Sequence, residues 1–314
     1  MSLTYSAERQ VAVAAVRRAC ALTSSVFNKL VRNETHTKDD KSPVTVGDFA
    51  AQAVVNTILS RTFPHDPVVG EEDSNDLRAD TGVSLRERVV ALANESLTAP
   101  LQPGEDESWG VGPTQQRTTE DLLAAIDRGN YEGGRSGPPT GTRGAIFVAT
   151  RGHGVFQLPL APAVSLATDE RGERLRIPAF TPETLNLLES VEKAHAKLSF
   201  NEKVARLLGV TRPPTRMDSQ AKYAALARGD GGVYLRMPVG TGYKEKIWDH
   251  APGSVLVEEA GGIVSDSRGR PLDFGLGRTL GENFGVVAAG KEVHAKVIEA
   301  IQRAKEEEAK EEGQ

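Results

Sequence analysis

Lys246-Ile247-Trp248-Asp249-His250-Ala251-Pro252-Gly253, with Glu258-Glu259-Ala260-Gly261-Gly262 close behind it, decides how this chain is read. A single carboxylate, Asp249, follows two bulky apolar residues, and a short helical run then ends at a glycine pair that can only be a tight break. Helix 248–260 followed by strand 262–265 continues a rhythm set just upstream by helix 218–228 and strand 232–236. That alternation predicts an α/β arrangement in the second half of the chain. Asp249 itself has two readings here: an oriented functional acid, or the N-cap of a helix over 250–260.

Upstream, residues 7–33 predict an amphipathic helix, because Val11, Ala14, Ala15, Ala19, Leu22, Val26 and Leu30 recur at three- and four-residue spacing. A polar loop over 34–43 precedes a second helix from Asp48 to about Thr62, with Asp48 placed as its N-cap. Val68-Val69 reads as a short strand that delivers Gly70 and the acids Glu71-Glu72-Asp73. Helices are expected over 84–95 and 120–128, around a Gly/Pro/acid-rich surface loop from Pro100 to Thr119. After the irregular, Gly- and Pro-dense stretch 129–144 come strands 145–149 and 154–158, joined at Gly152-His153 as a hairpin. A strand over 173–177 and a helix over 183–208 follow, and the chain ends in a helical tail whose Lys/Glu run reads as solvated.

A length of 314 residues allows one large or two modest domains. A net charge of −5 argues against a nucleic-acid partner, which calls for a basic surface. Cys20 is the sole cysteine, so an intrachain disulfide and a cysteine-based zinc site are excluded. No apolar run approaches the roughly 20 residues that span a bilayer. The opening residues also lack the basic-then-apolar pattern of a secretory signal, so the expectation is a cytoplasmic protein without membrane partner. A monomer is expected too, although no sequence feature sets the oligomeric state.

Glu71-Glu72 can be magnesium ligands or a solvated loop pair, and Asp48 can be a site acid or only a cap. The ordered set of motifs adds to this. Ser42–Gln52, Val68–Ser74, Asp218–Tyr223, Val233–Pro238 and Glu245–Ala251 occur in sequence, joined by Asn130–Arg135 and Pro271–Leu280. Together they resemble the 3′(2′),5′-bisphosphate nucleotidases, a branch of the lithium-sensitive inositol monophosphatase superfamily. The resemblance runs from about residue 7 to 300.

The resemblance implies a layered α/β fold with an N-terminal α+β metal-binding lobe over 1–165, its sheet shortened. A C-terminal α/β nucleotide-binding lobe over 166–303 and a charged tail over 304–314 complete it. It implies magnesium-dependent removal of the 3′-phosphate of adenosine 3′,5′-bisphosphate, or of its sulfonated form, in sulfur assimilation and salt tolerance. It also implies residue roles. Glu71 ligates the activating metal, Asp249 a second metal, Asp48 prepares the attacking water, and Glu72 orients the ligands. His195, Ser219, Lys222 and Arg236 hold the nucleotide, an assignment their chemistry suits, since two cations and a hydroxyl can grip a phosphate and an imidazole can stack on a base.

One family motif is not found. The central Asp-Pro-(Ile/Leu)-Asp-Gly-Thr segment should follow Gly133-Gly134-Arg135, yet Ser136 to Gly144 leads directly to the 145–149 strand. Either Gly137–Thr142 is a degenerate copy without its two aspartates, or, as we favour, a block of several dozen residues including the motif is absent. Magnesium demands near-ideal octahedral oxygen coordination, so the loss of two carboxylates weakens the site. The alternatives to a bisphosphate nucleotidase are a catalytically impaired form that binds nucleotide without turnover and an inositol phosphate phosphatase. The expectation is little magnesium-dependent phosphate release from adenosine 3′,5′-bisphosphate by the purified chain. Robust release in a colorimetric phosphate assay would contradict it.

Overall fold

Val11, Ala15 and Leu22 line one side of α1 (Ser6–Arg32), and that apolar stripe lies on α2 (Pro43–Thr62), which buries Val46, Phe49, Ala50, Ala53, Val54 and Ile58. This is the protein as seen in a computed structural model that describes residues 5–32, 43–129, 145–159, 172–190, 198–217, 219–238 and 244–312. The backbone divides into two units, Met1–Glu132 with Pro159–Arg171, and Gly133–Leu158 with Gly172–Gln314.

In the first unit the single turn α3 (Asn75–Arg78) leads to α4 (Val83–Leu97), whose Leu85, Val89, Ala93 and Leu97 form an unbroken four-residue ladder into the same core. α5 (Thr119–Asp127) adds Leu122, Leu123 and Ile126 and starts at a capping box, in which Thr118 and Asp121 satisfy each other's backbone N–H groups. Arg18 of α1 reaches into the 96–105 segment, donating to Glu105 at 2.8 Å through Nε and to the Ser96 carbonyl. Both side chains of that pair are buried, so each depends on the other to offset its desolvation.

The second unit is a five-stranded sheet in the order β5-β4-β6-β8-β7, built from β4 (Leu187–Glu189), β5 (Thr215–Arg216), β6 (Val233–Arg236), β7 (Gly262–Ser265) and β8 (Val286–Gly290). β4 pairs in parallel with β5 and β6, whereas β8 runs antiparallel to both β6 and β7. One face packs Leu187, Val233, Leu235, Val287 and Ala289 against α6 (Leu198–Leu207) and α9 (Lys291–Glu312). α7 (Ala221–Arg228) and α8 (Ala251–Glu259) also belong to this unit. A three-stranded sheet, β1 (Ala145–Thr150), β2 (Gly154–Pro159) and β3 (Glu173–Leu175), packs Val155 and Leu175 against Ala227 of α7, Leu256 of α8 and Ala260, which caps α8. The carboxylate of Glu259 ties down the β1–β2 turn, accepting from the N–H groups of Gly152 and Gly154 at 2.9 Å each.

Several elements differ from the sequence reading. The helix expected over 183–208 is instead β4 and, from Leu198, α6, because Leu187-Leu188 is a short buried run whose periodicity cannot separate strand from helix. β8 is a strand the reading missed. All five of its residues are buried, and its two alanines carry little β signal even though it is central in the sheet. α2 starts at Pro43, not Asp48, since proline's fixed φ suits the first helical position, so Asp48 lies more than a turn inside the helix and does not cap it. Val68 and Val69 are buried but form only an isolated bridge at Val69. The start of the charged tail is not solvated: Ala304 is in the core and Lys305 Nζ donates to Ser267 Oγ at 3.0 Å.

Gly253 of α8 lies hard against α7, and a Cβ there would meet Tyr223 Cδ2 at 2.2 Å. Gly253→Ala is expected to destabilise the fold by about 1–3 kcal/mol through overpacking. Urea unfolding measures this, and an unchanged midpoint would contradict the packing described.

Candidate functional site

The acidic loop of the first unit is held at both ends by side chains from α2 and α5. Gln52 acts like a backbone strand: its Oε1 accepts from the Glu72 N–H at 3.0 Å, and its Nε2 donates to the Glu72 carbonyl at 2.7 Å and to the Ile126 carbonyl at 3.0 Å. Gly70 N–H donates to the Gly129 carbonyl at 2.8 Å. A Cβ on Gly70 would sit 2.6 Å from Gln52 Oε1, so only glycine allows this close approach. At the far end Asp127 accepts from Ser74 twice, from N–H at 2.8 Å and from Oγ at 2.7 Å, and Arg78 joins it at 3.3 Å. Glu71, Glu72 and Asp73 are thus suspended between two anchors. Asp48 stands one helical turn before Gln52, on the same face of α2.

The electrostatics fit that placement. Burial pushes the Glu72 carboxyl up, and the nearby charges of Glu71, Asp48 and Asp73 push it further in the same direction. Burial also raises Asp48. Carboxylates that oppose each other's ionisation are the hard oxygen donors that magnesium takes. Among the described residues, no three His, Cys, Asp or Glu side chains converge closely enough to hold an ion.

In the second unit Asp249 ends a turn of 3-10 helix, Ile247–Asp249, just before α8. His250, without a side-chain capping bond, is the N-cap of α8, so the capping alternative for Asp249 does not describe this structure. Burial raises the Asp249 carboxyl, opposed by the neighbouring His250 and Arg236 side chains. Trp248 is fixed by Gln220, whose Nε2 donates to its carbonyl at 2.9 Å, and the Arg278 guanidinium lies 4.8 Å from its ring centre.

The expected nucleotide residues fall unevenly. Ser219, at φ +60°, holds a strained left-handed conformation at an exposed position just before α7. Lys222 is only 1% exposed, with Nζ donating to the Met217 carbonyl at 3.0 Å and lying 5.4 Å from the Tyr234 ring centre. Arg236 ends β6, and its Nε donates to Glu245 Oε1 at 2.7 Å. His195 lies outside the described residues, as do Asp218 and the whole of 130–144.

A buried polar chain that the sequence reading did not single out runs behind Arg236. Glu245 Oε2 lies 3.0 Å from His250 Nε2, and His250 Nδ1 lies 2.8 Å from the Tyr223 hydroxyl. Burial would raise Glu245, but its bonds to His250 and Arg236 hold it below the ordinary carboxylate range. An ionised Glu245 accepts from both, which in neutral His250 puts the proton on Nε2 and leaves Nδ1 to accept from Tyr223. The one clue in the sequence was a Glu and a His bracketing Trp248-Asp249. Tyr223, on another helix, carried none.

The inositol monophosphatase family profile matches residues 122–306, more than half of the chain. A 3′(2′),5′-bisphosphate nucleotidase of Schizosaccharomyces pombe is 41% identical over 95% of this chain and 96% of its own length. One of Emericella nidulans is 36% identical over 96% and 99%. Among solved structures, CysQ from Bacteroides thetaiotaomicron, a bacterial member of the inositol monophosphatase family, matches with a TM-score of 0.53 at 15% identity, covering 92% of this chain and 99% of that one. The chain is therefore a phosphatase-family protein with the inositol monophosphatase-like α/β fold. Within that family it belongs with the 3′(2′),5′-bisphosphate nucleotidases. No helix among the described residues is long and apolar enough to cross a membrane.

Asp127 yields a pH prediction. Burial would raise its carboxyl, but the Ser74 hydroxyl and N–H and the Arg78 guanidinium outweigh that and hold it below the ordinary aspartate range. A depressed native value means stability that is present above the ordinary value and lost as pH falls through the native one. Between neutral pH and pH near 3 the wild type should therefore lose more thermal stability than Asp127→Asn. Melting curves across that range check it, and parallel losses in the two proteins would contradict it.

Proposed function

We propose that this protein removes the 3′-phosphate of adenosine 3′,5′-bisphosphate, and of its sulfonated form, with magnesium, in a cytoplasmic sulfur-assimilation and salt-tolerance role as a monomer. The observation that carries the reading is 41% identity, across 95% of the chain, to a protein named for this activity. The carboxylates of Asp48, Glu71 and Glu72, near enough to act on one another's charge although they do not converge as a ligand set, support it by donor type alone.

In this reading the lobe over 1–165 carries the hydrolytic acids and that over 166–303 binds nucleotide, with 304–314 as a charged tail. Glu71 and Asp249 are metal ligands, and Glu72 orients the loop carboxylates. When bound, magnesium supplies the positive charge that activates water and offsets charge on the leaving oxygen. Asp48 accepts the proton of the attacking water, a task suited to an acid whose burial raises its affinity for protons. Arg236, Lys222 and Ser219 grip the 5′-phosphate, and His195 stacks on the base. The 5′-phosphate grip sets this activity apart from inositol phosphate hydrolysis.

Length bears on the rate. The alignment with the Schizosaccharomyces pombe relative spans 353 positions, against 314 residues here, so at least 39 of its positions have no counterpart in this chain. A shortfall of that size leaves room for the expected loss of a block with the Asp-Pro-(Ile/Leu)-Asp-Gly-Thr segment, and on that expectation the enzyme is slow and its magnesium affinity weak. A binder without turnover and an inositol phosphate phosphatase have less support, since the similar relatives are nucleotidases along nearly their whole length.

Phosphate release from adenosine 3′,5′-bisphosphate should be slow, magnesium-dependent and faster than from inositol 1-phosphate. Glu71→Gln should lower kcat/KM by more than about 100-fold, the upper range for losing a residue that only supports a metal ligand. The reading fails if inositol 1-phosphate is the better substrate or if Glu71→Gln matches the wild type.

A further inference from the structure

The geometry points to Glu245 as a positioning residue for nucleotide recognition: its buried carboxylate sets the guanidinium of Arg236 and joins it to the turn that carries Asp249. This inference rests on the reading of Arg236 as a 5′-phosphate ligand.

Arg236 is the last residue of β6, where the strand's own hydrogen bonds end and a long side chain can take many rotamers. Glu245 removes that freedom by accepting from Nε at 2.7 Å. A guanidinium is planar, so fixing Nε fixes the plane in which the terminal nitrogens lie, and bidentate phosphate recognition depends on that plane. The Tyr234 hydroxyl borders Arg236 as well.

Glu245 is itself fixed from both directions. Its backbone carbonyl accepts from Leu280 N–H at 2.8 Å, and its second carboxylate oxygen meets His250 at 3.0 Å. His250 is 1% exposed, and its ring is oriented by Tyr223, which stacks edge-on to Tyr234 at 4.9 Å between centres. Tyr234 in turn lies beneath the ammonium of Lys222. Both cations of the expected phosphate grip therefore touch one buried chain. The same His250 carbonyl accepts from Ser254 N–H at 2.8 Å at the start of α8, directly after Asp249. Glu245, His250, Tyr223 and Tyr234 are all buried. Their chemistry is support: a charge-assisted bond on the guanidinium and a rigid base below it.

The test is equilibrium binding by calorimetry in magnesium buffer, with adenosine 5′-monophosphate, which carries the 5′-phosphate and no 3′-phosphate, against adenosine. The wild type should prefer the monophosphate by about tenfold or more, the scale of a charged recognition contact. Glu245→Gln should cut that preference to about threefold or less while the adenosine affinity moves little. A purely structural role would weaken both ligands alike. If Glu245→Gln does not fold, Tyr223→Phe removes only the far hydroxyl and should erode the preference by about two- to threefold. A wild type without preference overturns the reading of Arg236 and the inference with it. A wild type that prefers the monophosphate, with a variant that keeps the full preference, overturns the inference alone.

Discussion

A carboxylate that is 7% exposed, Glu245, is the constraint around which the second unit is organised. Burying a charge is unfavourable unless it is paired and fully hydrogen-bonded, and losing one partner of such a pair typically costs about 3–5 kcal/mol. Arg236 and His250 meet that requirement, and each is bound to a particular element: Arg236 to the end of β6, His250 to the start of α8. Tyr223 extends the constraint to α7. The polar chain thus links β6, α7 and α8 through side-chain hydrogen bonds. The absence of a side chain at Gly253 lets α8 approach Tyr223 closely enough to complete it.

The first unit solves a different problem with a neutral group. Glu71, Glu72 and Asp73 repel one another, and a loop of three acids has no inherent reason to stay near a fourth on α2. Gln52 holds it there by matching both backbone groups of Glu72, and Asp127 holds the exit through Ser74. The repulsion is a stability penalty, since like charges held close each disfavour the other's ionised form.

Much of the helical framework could be read in advance. α1, α4 and α5 carry apolar ladders at four-residue spacing, and the helices run within a few residues of the expected limits. The failures have specific causes. Leu187-Leu188 is too short a run to reveal its period, and Val286 to Gly290 contains alanines whose burial comes from neighbours on both sides of the sheet. Asp48 had the right residue type for a cap, but Pro43 begins the helix earlier. Motif order offers Asp48, Glu71, Glu72, Asp249, His195, Ser219, Lys222 and Arg236 as candidates, but not the surroundings in which a candidate side chain sits.

Residue types and order by themselves determined the α/β character of the second half, the family, and the exclusion of disulfide and cysteine-zinc chemistry. These are properties of local pattern and composition, which need no partner to be visible. Tertiary structure alone decided that Lys222 is buried, that Glu245 and His250 stand behind Arg236, and that Gln52 pins the acidic loop. Each of those facts depends on a hydrogen bond between elements far apart in the chain. Such a bond is specified only when packing has set both ends, and no periodicity or motif in either segment encodes its partner.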